Sequence, residues 1–327
     1  MTYLDKVKSI FLKEEKRQGL FSMEWLTLIY MGITLIMTFY WWRTINDPVQ
    51  MVMARVIVTG VMGLLLLLYH YWPSRFVVLL RYTILMLALI QWYPETYEFC
   101  KHFNYQDHFF ASIDFDMFGF QPAIEFSKRV SSTFWSEAFC LGYYSYYYIM
   151  VATLLYYLFA EYERFNWAGF VFFASFFSFY LIYVCLPVAG PQYYYSAIGE
   201  EYARNYYFPE TYHYFAEHTD ALTIEIKGFF SQLVVGAQEI GERPTAAFPS
   251  SHVGMSTLCM LFALAAKRKL LFWVMLPFWI LLVFGTVYIK AHYAIDSIFG
   301  LVFAVGFFLL FSWLFTWLLK RKSTLPS

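Results

Sequence analysis

Long, continuous apolar segments are the feature that most constrains the fold of this 327-residue chain. A helix that crosses a membrane needs about 20 mainly apolar residues. Eight segments meet this requirement, at 24–42, 51–71, 75–93, 137–160, 166–187, 249–266, 270–289 and 293–319. Because these segments are continuous rather than alternating, helices are favoured over the strands of a membrane barrel. The sequence therefore predicts an all-α integral membrane protein with about eight transmembrane helices.

The composition supports this class and excludes others. Apolar residues make up 60% of the chain and charged residues 14%, whereas a soluble domain has about 45–50% and about 25%. A soluble fold of this size could not hide that excess of apolar surface. The chain carries 23 Lys+Arg against 23 Asp+Glu, so no net positive field favours a nucleic acid as partner.

The first 23 residues form a separate cytoplasmic segment in our interpretation. Leu4, Val7 and Phe11 recur at helical spacing among basic residues. This pattern is typical of an amphipathic helix lying on a membrane surface. A frayed basic tail is the alternative, and the sequence leaves both open.

The rest of the chain divides into accessory transmembrane helices at 24–93 and a membrane core at 94–327. Two long loops, 94–136 and 188–248, interrupt the core. An even number of spans puts both termini on one side, and Lys and Arg concentrate in the short segments of that side. The positive-inside bias therefore predicts cytoplasmic termini. The loops then face the periplasm, the extracellular space or an organelle lumen.

One polar motif stands at the start of the sixth span. Pro249 and Ser250 are typical of a helix start, because proline suits the first turn and serine caps it. The free backbone N–H groups of a helix N-terminus attract anions, and Ser251 adds a second hydroxyl. Arg243 lies nearby and could bind a phosphate with two hydrogen bonds. His252 would project from the first turn at the membrane surface.

A second polar motif stands at the start of the last span. His292 and Asp296 are four residues apart, so they share one face of a helix. A carboxylate at this position can orient an imidazole and stabilise its charged form. Lys290 supplies another cation. A lone pair of this kind is usually a cap or an ion pair, but the helical hairpin at 253–289 would bring both motifs to one surface.

The two motifs together, AFPSSH at 247–252 and KAHYAID at 290–296, resemble the type 2 phosphatidic acid phosphatase superfamily, which is related to the haloperoxidases. DMFGFQP at 116–122 and PVAGPQYY at 187–194 are similar to motifs of the branch that contains the inositol phosphorylceramide synthases. The resemblance covers about residues 110–310. It implies a six-helix phosphatase-type core with the active site at the outward ends of the helices.

The chain departs from the superfamily's pattern at two cation positions. Gly236 stands where the first motif has a lysine, and Gly285 and Thr286 stand where the third has Ser-Arg. We expect Arg243 and Lys290 to replace these cations, together with the Ser250 and Ser251 hydroxyls, in binding phosphate.

The resemblance also implies a mechanism that needs no metal and no cofactor. His292 attacks phosphorus and forms a phosphohistidine, Asp296 orients His292, and His252 protonates the leaving lipid alkoxide. The expected substrate is a lipid phosphate or a phospholipid. Hydrolysis is the predicted reaction, with transfer of a phospho-head group between lipids as the alternative. A transporter that relays protons through the two histidines is the remote alternative.

A tyrosine-rich stretch in the second loop is a possible substrate loop. It begins with Gln192, Tyr193 and Tyr194 and continues to residue 214. An aromatic belt at the level of the lipid head groups is one interpretation. A lid or head-group recognition surface is the other.

Overall fold

The computed structural model describes residues 10–15, 17, 19–222 and 228–324, and its regular structure within these ranges is entirely helical. A 3₁₀ turn at Tyr214–Ala216 lies in the second long loop. The α-helices, in chain order, are α1 (Ser22–Tyr40), α2 (Pro48–Tyr71), α3 (Arg75–Cys100), α4 (Asp107–Phe118), α5 (Pro122–Arg129), α6 (Thr133–Ala160), α7 (Tyr162–Cys185), α8 (Pro191–Ile198), α9 (Glu200–Arg204), α10 (Phe229–Gly241), α11 (Ser251–Ala265), α12 (Lys269–Tyr288) and α13 (Ala294–Thr324).

Seven of the described helices are long and apolar enough to cross a membrane: α1, α2, α3, α6, α7, α12 and α13. They match seven of the eight predicted segments. The sixth segment forms α11, which has 15 residues and is therefore about 22 Å long. A bilayer core is about 30 Å thick, so the count of eight full spans stays a prediction.

Helix α3 is longer than the sequence predicts. The expected end was residue 93, before Pro94, but the helix continues to Cys100 with that proline inside it. Tyr97, Phe99 and Cys100 are buried against other parts of the chain. Their packing outweighs the local helix-breaking effect of the proline.

Two buried ion pairs join the accessory helices. Arg55 of α2 lies 2.7 Å from Glu95 of α3. Arg81 of α3 binds both carboxylate oxygens of Glu24 in α1, at 2.8 and 2.5 Å. Unpaired charges are costly in a membrane, so these pairs explain how arginines occur within two predicted spans.

Helix α7 lies at the centre of the bundle, and α1, α3, α6, α11 and α13 pack around it. Val171, Phe172 and Phe173 of α7 are completely buried. Helices α6 and α12 approach each other closely at two glycines. A Cβ atom on Gly142 would lie 2.5 Å from the Leu281 backbone, and one on Gly285 would lie 2.6 Å from the Phe139 carbonyl oxygen.

The two long loops are largely helical, and they fold into a cap over one end of the bundle. The cap contains α4, α5, α8, α9 and α10 and has an apolar cluster of its own. Phe110, Ile124, Tyr194, Tyr195 and Phe215 are among its buried members. This packed cap fixes the backbone around the ends of α11 and α13.

The predicted amphipathic N-terminal helix lies mostly outside the described residues, which begin at residue 10. Its described part includes Phe11, whose ring packs against Phe76 at 4.9 Å and stacks with Trp72 at 6.4 Å. Phe11 therefore contacts the junction between α2 and α3.

Candidate active site

The site is built where α11 and α13 begin. Ser250 caps α11, because its Oγ accepts a hydrogen bond from the Val253 N–H at 3.3 Å. The Ser250 N–H donates to the Asp296 carbonyl oxygen at 3.0 Å. This bond joins the start of α11 to the first turn of α13, so the two polar motifs of the sequence meet as predicted.

His292 lies in the short link before α13, and hydrogen bonds fix the link at both ends. The N–H groups of Ala291 and His292 both donate to the Thr286 carbonyl, each at 3.1 Å. On the other side, the Asp114 carboxylate accepts from the N–H groups of Ala294 and Ile295 at 2.8 and 2.9 Å. A carboxylate at a helix N-terminus satisfies free donors and is favoured by the helix dipole.

The two histidines lie next to each other. Their ring centroids are 5.7 Å apart. His252 stacks on Tyr143 with centroids 4.5 Å apart and contacts Tyr146 at the same distance. These aromatic contacts hold the His252 ring beside that of His292.

The hydrogen bond of His292 defines which nitrogen is free. Its Nδ1 lies 2.7 Å from the Ala247 carbonyl oxygen. A carbonyl only accepts hydrogen bonds, so Nδ1 carries the proton and Nε2 keeps its lone pair. Burial lowers the pKa of His292 to about 4. A neutral imidazole with a free Nε2 is the form that a nucleophile needs.

Asp296 is placed differently from the expectation that it orients His292 directly. Its Oδ2 is 3.8 Å from His292 Nδ1, which is longer than a hydrogen bond. The same oxygen accepts from the Tyr293 N–H at 2.8 Å. Asp296 therefore supports the backbone around His292 and places a buried carboxylate near the ring.

A narrow cavity lies between these groups, with room for about one water molecule. Its polar lining includes Gln192, Glu242, Arg243, Thr245, Ser251, His252 and His292, and Tyr93 and Tyr143 line it as well. Five residues that the sequence predicted for the site thus meet at one cavity: Gln192, Arg243, Ser251, His252 and His292.

The two expected cations have different surroundings. Arg243 lines the cavity, and within the described chain its guanidinium makes one hydrogen bond, to the Glu242 carbonyl at 2.7 Å, and no ion pair. Lys290 is not part of the lining, and its ammonium lies 3.0 Å from Glu200. Despite burial, hydrogen bonds from Lys128 and Lys290 lower the pKa of Glu200 to about 2. Arg243 is therefore the cation that is free to bind an anion.

The possible substrate loop is only partly at the site. Gln192 lines the cavity and donates to Glu242 at 2.6 Å. Tyr193 and Tyr194 are buried in the cap, where the Tyr194 hydroxyl donates to the Pro209 carbonyl. Five later tyrosines are exposed: Tyr202, Tyr206, Tyr207, Tyr212 and Tyr214.

Two carboxylates of the site were missed from the sequence. Glu242 accepts from the Tyr143 hydroxyl at 2.9 Å inside the cavity wall. Asp107 accepts from the N–H groups of Ala189 and Gly190 and from the Tyr293 hydroxyl. Glu242 directly precedes Arg243, and this position next to a predicted site residue could have identified it. No local sequence pattern marks Asp107.

The comparisons with known proteins agree with this geometry. The sequence profile of the PAP2 superfamily matches residues 108–310, which contain both histidines and the cap. No curated protein and no solved structure matches the chain significantly. The matched part of the sequence exceeds half of the chain, and it follows that this protein belongs to the PAP2 superfamily.

Proposed function

We propose that this protein is a membrane-embedded lipid phosphatase that removes phosphate from a lipid phosphate through a phosphohistidine. Membership of the superfamily supports a phosphatase-type function. The observation that carries the proposal is the pair of adjacent imidazoles, in which His292 keeps a free Nε2 because its Nδ1 donates to Ala247.

In the proposed first step, His292 Nε2 attacks phosphorus and the bond between phosphorus and the lipid oxygen breaks. His252 gives its proton to the leaving alkoxide, which is a poor leaving group without one. A placed proton donor contributes about 10²–10⁴ in rate. The products of this step are the lipid alcohol and a phosphohistidine at His292.

In the second step, His252 takes a proton from water as the water attacks phosphorus. The bond between phosphorus and His292 breaks, and inorganic phosphate leaves. Arg243 and Ser251, which line the cavity, stabilise the charge on the phosphoryl oxygens. Both histidines then return to their starting states.

Transfer to a second alcohol is the alternative, because the phosphohistidine could react with an alcohol instead of water. The motifs at 116–122 and 187–194, which are similar to those of the inositol phosphorylceramide synthase branch, favour this alternative. Family membership favours either reaction over transport. The predicted topology would place the site at the outer face, with both termini in the cytoplasm.

The purified protein should release phosphate from phosphatidic acid in mixed micelles. With ³²P-labelled substrate, wild type should carry an acid-labile, base-stable label, and His292→Gln should carry none. His213→Ala changes an exposed histidine that does not line the cavity and serves as the control. Normal turnover by His292→Gln would sink the mechanism. Adding a labelled ceramide or diacylglycerol tests the alternative, because a new phosphorylated lipid would indicate transfer.

A further inference from the structure

A cavity of about 280 Å³ lies at the end of the bundle opposite the catalytic site. It is lined by residues of the N-terminal segment, the starts of α1 and α7, and the last part of α13. The stretch of α13 from Ala294, beside His292, to Phe315, at this cavity, is about 32 Å long. A bilayer core is about 30 Å thick. The cavity and the catalytic site therefore belong to opposite leaflets, and a lipid bound in this cavity is out of reach of His292.

The polar side chains of the cavity are hydrogen-bond donors. The Ser22 N–H donates to Asn166 Oδ1 at 2.9 Å, and Asn166 Nδ2 donates to Ser22 Oγ at 3.2 Å. The hydroxyl proton of Ser22 and the second amide proton of Asn166 can then donate to a ligand. Among the described residues, no Asp or Glu lines the cavity. This donor set suits an anion.

Arg17 supplies a positive charge to the cavity. Its guanidinium lies over the Tyr162 ring, 4.8 Å from the centroid, and this contact holds it at the start of α7. It lies 3.7 Å from Glu163, whose side chain is 92% exposed. An exposed pair at this distance contributes little, so the charge of Arg17 remains available to a ligand. Three more basic residues, at 320–322, directly follow the α13 lining in the sequence.

The rest of the lining is apolar and opens toward the bilayer. Trp25 of α1 and Leu318 of α13 are exposed, and both helices are long and apolar enough to cross a membrane. Helices α1 and α13 both pack on α7 but scarcely on each other, so the cavity is a gap between them. Phe315 packs on Phe170 of α7 at 5.4 Å and closes the inner side of this gap.

This arrangement matches a phospholipid better than a soluble anion. The donors lie where α1 and α7 begin, and the exposed apolar residues of α1 and α13 lie beside them. A phospholipid has its phosphate joined to acyl chains in the same order. Burial of apolar surface would stabilise the bound chains, whereas a soluble anion gains nothing from apolar walls.

We propose that this cavity binds the phosphate of an anionic phospholipid from the leaflet opposite the catalytic site. The acyl chains lie along α1 and α13. The predicted topology makes this the cytoplasmic leaflet, whose anionic lipids attract basic pockets between helices. The lipid ties the accessory helix α1 to the membrane core. This proposal does not rest on the proposed function.

The test measures lipid binding to the full-length protein in non-ionic detergent. The His292→Gln background keeps any substrate intact. Phosphatidylglycerol and phosphatidylcholine with the same acyl chains are titrated, and native mass spectrometry counts the bound lipid.

Two variants change the cavity, and each has a matched control. Arg17→Ala removes the cation. Asn166→Asp keeps the oxygen that accepts from the Ser22 N–H and adds a negative charge at the donors. The controls are Arg43→Ala and Asn104→Asp, which change exposed residues at the other end of the bundle.

The background protein should bind phosphatidylglycerol about fivefold or more tightly than phosphatidylcholine, because one basic residue near the surface contributes about 1 kcal/mol. Each cavity variant should weaken phosphatidylglycerol binding by about fivefold or more and leave phosphatidylcholine binding unchanged. The two controls should change neither. Phosphatidylglycerol should also raise the midpoint of thermal unfolding, and the cavity variants should lose this gain. Asn166→Asp has nearly the same shape as the native side chain and decides the result if Arg17→Ala does not fold.

Equal binding of the two lipids would overturn the proposal, as would unchanged phosphatidylglycerol binding in the cavity variants. Arg243→Ala should leave this binding intact. If Arg243→Ala abolishes it and Arg17→Ala does not, the lipid lies at the catalytic cavity and the proposal fails. Inorganic phosphate should not displace the lipid from this site, and displacement would indicate a site for a soluble anion. None of these results depends on turnover, so they stand apart from the outcome for the proposed function.

Discussion

The ring of Tyr143 lies stacked on the imidazole of His252, with centroids 4.5 Å apart and 26° between the planes. The Tyr143 hydroxyl donates to Glu242 at 2.9 Å. One side chain of α6 therefore supports the proposed proton donor and also hydrogen-bonds the carboxylate in the cavity wall.

These two roles can be separated by substitution. Tyr143→Phe keeps the stacked ring and loses the hydroxyl, so kcat with phosphatidic acid should fall by less than about fivefold. Tyr143→Leu leaves one face of His252 without its aromatic support, and kcat should fall by about 10² or more, since a misplaced catalytic group is costly. Steady-state phosphate release measures both. Equal activity of the two variants would show that stacking does not position His252.

Glu242 places a carboxyl group beside the expected phosphate, and burial raises its pKa above the ordinary value. Above that raised pKa the carboxylate is negative and repels a bound anion. Glu242→Gln should therefore tighten inhibition by inorganic phosphate by about tenfold at pH 8. At pH 5 the substitution should tighten phosphate inhibition by less, because Glu242 is then more protonated in wild type. A phosphate Ki that the substitution leaves unchanged at pH 8 would contradict this electrostatic role.

Arg243 and Lys290 should differ in importance, although the sequence presents both as phosphate-binding cations. Arg243→Ala should lower kcat/KM by about 10²-fold or more, and Arg243→Lys should recover part of the loss, because a lysine keeps the charge but not the two-pronged geometry. Lys290→Met should lower kcat/KM by less than about fivefold, since Lys290 is held by Glu200 outside the cavity. The reverse order would make Lys290 the phosphate-binding residue.

Much of this site was predictable because its chemistry is local in sequence. The serine and proline at a helix start, together with a histidine in the first turn, predicted the start of α11. The spacing of His292 and Asp296 predicted a second motif, and a helical hairpin was enough to bring the two together. The length of the apolar segments predicted the seven long helices, because segment length is also a local property of the sequence.

What the sequence did not show depends on contacts between distant residues. Asp114 hydrogen-bonds backbone groups 180 and 181 positions away, and Lys290 meets Glu200 through the folded cap. The Nδ1–H group of His292 donates a hydrogen bond to a backbone carbonyl, and no side-chain motif can reveal such a partner. Helix α3 passes Pro94 because tertiary burial outweighs local propensity.

Asp114 links folding stability to pH. Burial raises its pKa from 3.8 to about 6. This difference in pKa between the unfolded and folded protein corresponds to about 3 kcal/mol in the free energy of unfolding. As the pH rises, Asp114 loses its proton at a lower pH in the unfolded chain than in the folded protein. The free energy of unfolding therefore falls as pH rises from about 4 to about 6 and beyond. About 1–2 kcal/mol of the loss lies between pH 5 and 8.

Asp114→Asn should therefore reduce the pH dependence of thermal unfolding in detergent. At pH 5 it should be less stable than wild type, because it loses one of two hydrogen bonds to the start of α13. At pH 8 the difference should shrink, since the variant has no buried charge to desolvate. A pH dependence identical to that of wild type would exclude this role for Asp114.

Helices α6 and α12 pack closely at Gly142. A Cβ atom on Gly142 would lie 2.5 Å from backbone atoms of Leu281, which leaves no space for a side chain. Gly142→Ala should therefore lower the midpoint of thermal unfolding and reduce kcat, because α12 leads directly into the His292 link. Gly306→Ala is the matched control: its Cβ meets nothing within 4 Å, so it should be neutral or stabilising by up to about 1 kcal/mol. If both alanine variants unfold at the wild-type temperature, the close helix contact does not limit stability.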